Sequence, residues 1–150
     1  MDAFAIDLDG ALGDTRPLWR DWVEDVSRRA RLEVELPADR AEAAALLDGA
    51  LPNWRDLLER FAEDRAPVYL RPDAAASAAL RQLASAGARI GVFTDAPEPL
   101  ARIALSQLGA TRRVDALEAG EGALQRLLDH LGPETRVVRA ANELAALASN

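Results

Sequence analysis

Residues 5–15 read AIDLDGALGDT, and the fold turns on how this stretch is built. The apolar run from Ala3 to Leu8 breaks at Asp9-Gly10. Its length, its Phe4 and Ile6, and the Asp-Gly turn behind it predict a short buried strand. Side chains alternate along a strand, so Asp7 and Asp9 point the same way. Two carboxylates at one strand end repel each other and need a cation, a shared proton or an arginine. Magnesium, which prefers oxygen ligands, is the natural cation.

Outward from this strand the pattern is helical. Asp14-Thr15-Arg16-Pro17 predicts a helix start running to about Arg31, with Leu18, Trp19, Trp22, Val23 and Val26 on one face. Asp39 and Glu42 form a capping box before Ala43 to Leu47, closed by Gly49. Asn53 and Asp56 open another helix, and Pro72 opens a fourth that ends at Gly87. At helical spacing, Trp19, Trp22 and Trp54 are expected as the core of this block rather than as a substrate pocket.

Arg89 to Phe93 predicts a second buried strand, stopping at Thr94-Asp95. Helix Glu98 to Leu108, strand Val114 to Leu117, a helix carrying Leu124, Leu127, Leu128 and Leu131, strand Arg136 to Val138 and a last helix capped by Asn142 complete the chain. Strands alternating with helices imply an α/β fold, a parallel sheet with helices on both faces. The long helical block after the first strand implies a lid. In such a sheet ligands bind beyond the carboxyl ends of the strands, where Asp7, Asp9, Thr94 and Asp95 fall.

Composition narrows the chemistry. The chain has 150 residues and a formal net charge of −7, which disfavours nucleic acid and anionic membrane as partners. With no cysteine, a disulfide scaffold and a thiolate site are excluded. His130 is the only histidine and is expected to be structural, beside a helix end. All 18 basic residues are arginine. No apolar run long enough to span a bilayer and no signal-peptide pattern is seen, so a cytoplasmic location is expected.

The stretch AIDLDGALGDT resembles the first motif, DxDGTxxDS, of the haloacid-dehalogenase-like (HAD-like) hydrolases, and RIGVFT (89–94) resembles their second. The layout is most similar to phosphoglycolate-phosphatase-like members. The resemblance implies a three-layer, Rossmann-like core over 1–14 and 73–150, with a small helical cap at 15–72. It implies magnesium-dependent hydrolysis of a small phosphate ester through an aspartyl phosphate. Asp7 would be the nucleophile and Asp9 the general acid/base. Thr94 would anchor the phosphoryl group, with Gly10, Asp95 and Arg139 beside the substrate. Asp7, Asp9 through its backbone carbonyl, and Glu143 would hold magnesium.

Three departures stand against that pattern. Ala11 replaces the usual threonine, and the turn that normally supplies a lysine reads Ala119-Gly120-Glu121-Gly122. The acidic pair of the fourth motif becomes Arg139-Ala140-Ala141-Asn142-Glu143. Loss of one electrostatic contact in such a site costs on the order of 10²–10³ in rate, so weak turnover is expected. The alternatives are a catalytically impaired relative that binds a phosphorylated ligand or a protein partner, and an interaction module acting through an exposed tryptophan patch. Arg139, following a strand, is expected at the carboxylate edge. There it would serve as a tethered cation in place of magnesium, or as a substitute for the missing lysine.

Overall fold

The computed structural model describes residues 2–148. Four strands, β1 (Ala3–Asp7), β2 (Arg89–Thr94), β3 (Ala116–Ala119) and β4 (Arg136–Val138), form one sheet in the order β3-β2-β1-β4. Every pairing is parallel, with Asp7 opposite Phe93 and Thr94 opposite Ala119. The first strand is thus central, and its carboxyl end lies level with that of β2.

Helices α1 (Arg16–Arg29), α2 (Arg40–Ala50) and α3 (Trp54–Tyr69) fill the span after β1, and no strand interrupts them. They are followed by α4 (Ala74–Ser85), α5 (Glu98–Gln107), α6 (Ala123–Leu131) and α7 (Ala141–Ala148). Alternation along the strands sorts them into layers. Phe4, Ile6, Ile90 and Val92 face α4, α5 and α7 through Leu80, Leu83, Leu105 and Leu144. Ala5 and Phe93 face the other way, onto Leu127 and Leu131 of α6. Gly91 permits that contact at close range, because a Cβ there would lie 2.5 Å from Leu127 Cδ1.

The helical block has a core of its own. Leu18, Trp19, Trp22, Leu47, Trp54 and Leu58 are buried together and rest on Ala96 and Leu100 near the start of α5. The three indoles form a cluster with centroids 5.2–6.5 Å apart, and the Trp54 Nε1–H donates to Asp48 at 2.9 Å. They are core, as their spacing predicts, and present no exposed patch.

Several boundaries differ from the sequence reading. Gly49 lies inside α2, which continues to Ala50. Asp73 rather than Pro72 starts α4, its carboxylate accepting from the Ala75 and Ala76 N–H groups. Strand β3 begins two residues later than expected, and Asp115 just before it accepts the Ile90 N–H with its side chain. Asn142 sits within the first turn of α7 rather than before it. A π-type turn at Leu8–Leu12, closed by Gly10 N–H to Gly13 O and Gly13 N–H to Leu8 O, was not anticipated.

We predict that Trp22→Ala, which removes a fully buried side chain from the indole cluster, costs about 3–5 kcal/mol. Urea denaturation checks this; a loss below 1 kcal/mol would show that the cluster contributes little to folding.

Candidate active site

Strand β1 delivers Asp7 to the sheet edge, and the turn after it brings Asp9 back beside it. The turn works because of Gly10. Its φ is +121°, and a Cβ there would stand 2.6 Å from the Arg139 carbonyl oxygen. The β1 and β4 loops therefore meet in contact, which carries Arg139 to the edge as well. A cleft of about 750 Å³ opens there. Its floor is Asp7, Asp9, Phe93, Thr94 and Asp95, with α2 on one side and the Gly120–Gly122 turn and Arg139 on the other.

The two carboxylates have different surroundings. Asp9 is only 8% exposed and is held entirely by donors. Its Oδ1 accepts from Thr15 N–H at 2.7 Å and from Thr15 Oγ1 at 2.8 Å. Its Oδ2 accepts from Arg40 Nη2 at 2.5 Å and from Thr94 Oγ1 at 3.2 Å. These bonds use the lone pairs a carboxylate offers. Thr15 sits at the start of α1, yet its hydroxyl caps nothing; it donates to Asp9 and accepts from Arg40 Nη1 at 2.7 Å. Asp14 is the local acceptor at this helix start, bonded to the Arg16 N–H and guanidinium, which hold its carboxyl below the usual range.

Asp7 opens onto the cleft. Burial, together with the neighbouring Asp9 charge, pushes its carboxyl from the ordinary 3.8 up to about 6, against the opposing pull of Arg139. Arg139 Nη1 lies 3.6 Å from Asp7 Oδ2, an ion pair without a hydrogen bond. Its guanidinium carbon is 5.5 Å from the Phe93 ring centre, and its side chain is 59% exposed. Arg139 thus reaches the carboxylate edge, at Asp7 and not at Asp9.

Of the sequence-predicted site residues, Asp7, Asp9, Thr94, Asp95 and Arg139 line one cleft, and Gly10 shapes its floor from behind. Glu143 is not among the lining residues. It faces a separate depression with Arg136 and Val138, so its expected place as a magnesium ligand does not match the structure. Helix α7 starts at Ala141 and carries Glu143 in its first turn. Thr94 Oγ1 also accepts from the Ala96 N–H at 3.1 Å, so its single proton is directed at Asp9. The residue that sequence reasoning missed is Arg40. It read only as the position after the Asp39 cap, and nothing in its neighbourhood signals a buried charge.

Magnesium, which the family resemblance implies, fits these residues poorly. No group of three or more acidic or histidine side chains arranged to hold a metal occurs among the described residues. The Asp9 carboxylate is saturated by donors, which leaves its backbone carbonyl as the only oxygen it could offer, and Arg139 stands where the resemblance places an acid. Arg126 does not supply the absent lysine. Its guanidinium is turned onto the Ala119 and Glu121 carbonyls and the Glu118 carboxylate.

Comparison with solved structures identifies the architecture. CbbY from Rhodobacter sphaeroides in complex with phosphate is similar at a TM-score of 0.66 and 16% identity, over 97% of this chain and 83% of that one. A HAD phosphatase from Thermococcus onnurineus gives 0.57 and 18%, over 99% and 83%. L-2-haloacid dehalogenase from Xanthobacter autotrophicus gives 0.53 and 16%, over 91% and 69%. No family model and no curated protein matches the chain. The fold is that of the HAD-like hydrolases, phosphatases and dehalogenases alike.

A carboxyl whose folded value is raised favours the folded state below its unfolded value, and that contribution is lost as pH rises through about 6. The rise corresponds to at most about 3 kcal/mol at neutral pH. We predict that Asp7→Asn stabilises the protein by on the order of 1–2 kcal/mol at pH 7.5, and that the gain disappears by pH 4. Thermal unfolding at the two pH values checks this, and equal effects at both would refute the assigned cause.

Proposed function

We propose that this chain is a slow hydrolase of small phosphate esters in which Asp7 is the nucleophile. The observation that carries the reading is the contrast between the two carboxylates. Asp9 is tied down, whereas Asp7 faces the cleft with a guanidinium beside it. Residues 15–72 act as the cap and 1–14 with 73–150 as the core, so that α2 forms one wall over a small substrate.

An Asp7 oxygen attacks phosphorus, and the bond from phosphorus to the ester oxygen breaks. The electron pair leaves on the alkoxide, which takes a proton from water. Water then attacks phosphorus in the acyl phosphate, and the Asp7 carboxylate and inorganic phosphate depart. Arg139 offsets part of the charge that builds as two anions approach. Asp9, bonded to donors on both oxygens, holds Thr15, Arg40 and Thr94 in place, and no proton transfer is assigned to it. No metal-assisted step is assigned, since no group of three or more acidic or histidine side chains that could hold a metal occurs among the described residues.

A second reading is favoured by the same Asp9 bonds: a cleft that binds a phosphorylated molecule without turning it over. An aryl phosphate assay, with inorganic phosphate binding measured in parallel, separates the two. For the hydrolase we expect kcat well below the enzyme median of about 10 s⁻¹ and complete loss in Asp7→Asn. We also expect kcat/KM, corrected for the substrate's own ionisation, to rise through about pH 6 as Asp7 ionises. Phosphate binding with no turnover selects the second reading. Activity that survives Asp7→Asn excludes Asp7 as nucleophile.

A further inference from the structure

Arg40 is the first residue of α2, held in register by Asp39, whose carboxylate accepts from the Glu42 N–H at 2.9 Å. Its side chain is only 4% exposed. It crosses from the helical block to the sheet edge and places three hydrogen bonds there. Nη1 donates to Thr15 Oγ1, and Nη2 donates both to Asp9 Oδ2 and to Asp95 Oδ1, the last two at 2.5 Å. Thus one guanidinium bridges carboxylates from the β1 turn and from the end of β2.

This is the task a divalent ion performs between two acids, carried out by a side chain. The substitution has physical consequences. A guanidinium carries its N–H donors in a rigid planar fork that matches carboxylate oxygens. It is tethered, so it cannot be diluted or chelated. A magnesium ion bound to Asp9 would need oxygen ligands at about 2.0–2.1 Å and near-octahedral geometry. Through the Asp9 carboxylate it would have to take oxygens already bonded to a buried positive charge; through the Asp7 carboxylate and the Asp9 backbone carbonyl it would compete with the Arg139 guanidinium, 3.6 Å from Asp7.

We propose that Arg40 is the resident cation of this cleft, a built-in replacement for a divalent ion, and that the intact protein does not bind magnesium at the Asp7–Asp9 pair. The proposal uses the hydrolase reading only to mark where an ion would sit. Its readout is metal binding, so a protein that hydrolyses no ester still answers it, and the two readings fail separately.

The test is thermal unfolding of the full chain, with chelator and with excess magnesium chloride, for the wild type, Arg40→Lys and Arg40→Gln. The wild type and Arg40→Lys are expected to be indifferent to magnesium. Arg40→Gln, with Asp9 and Asp95 left unpaired, is expected to melt lower in chelator. It should recover about 5–10 °C when magnesium is a hundredfold above its Kd. Calorimetric titration of the wild type with magnesium gives a second measurement that holds even if Arg40→Gln fails to fold, and the absence of saturable heat supports the proposal. Saturable heat that Asp7→Asn abolishes, or a magnesium-induced rise in the wild-type Tm, overturns it. So does an Arg40→Gln protein that folds and remains indifferent to magnesium.

Discussion

A carboxylate that leaves water at the end of a buried strand must find its charge met within the protein, and Asp9 meets this demand through three separate elements. Thr15 comes from the start of α1, Arg40 from the start of α2 and Thr94 from the end of β2. The helical block is therefore joined to the sheet by a charge as well as by the apolar contact on Ala96 and Leu100. Buried ion pairs add little net stability over an apolar equivalent, but removing one partner costs about 3–5 kcal/mol because the other is left uncompensated. The pair therefore acts chiefly as a specification: α2 is held in the one position that satisfies Asp9.

Asp95 shows the other side of this arrangement. It shares the Arg40 nitrogen yet remains 67% exposed, so water screens it and its bond contributes less. Asp7 is raised first by burial and then by the Asp9 charge, and its compensation, a guanidinium at ion-pair distance and a backbone N–H, offsets only part of that. The site thus grades from a fully paired acid at the back to a poorly paired one facing the cleft. That is the order expected if Asp7, the poorly paired acid at the cleft, is the one that reacts.

Much of the fold was legible because its signals are local and redundant. The strands β1 and β2 are short apolar runs with polar stops, the capping side chain of Asp39 marks the start of α2, and Pro72 marks that of α4 to within two residues. The clustering of Asp7, Asp9 and Thr94 followed from topology alone, since parallel strands share one carboxyl edge. Where reading failed, tertiary contacts had redirected a residue. Thr15 carries a capping side chain that is spent on Asp9, and Asp115 carries one that serves Ile90. Glu143 lies in the right motif by sequence but in the wrong place by geometry. Arg40 was invisible for a stricter reason. The chain has many arginines, and which of them is buried depends on a partner 31 residues away, a distance no local pattern encodes.

Gly91 governs a part of the cleft that it never touches. Because no side chain projects from it, Leu127 and Leu131 seat directly on the strand, and α6 lies against the sheet at minimum thickness. The front of the same helix, Ala123 and Leu124, with the Gly120–Gly122 turn before it, forms the wall opposite α2. The width available to a ligand between these walls is thus set from within the hydrophobic layer. An aperture gauged there can be re-bored by volume changes at the helix–sheet contact, with every polar group at the rim left unaltered.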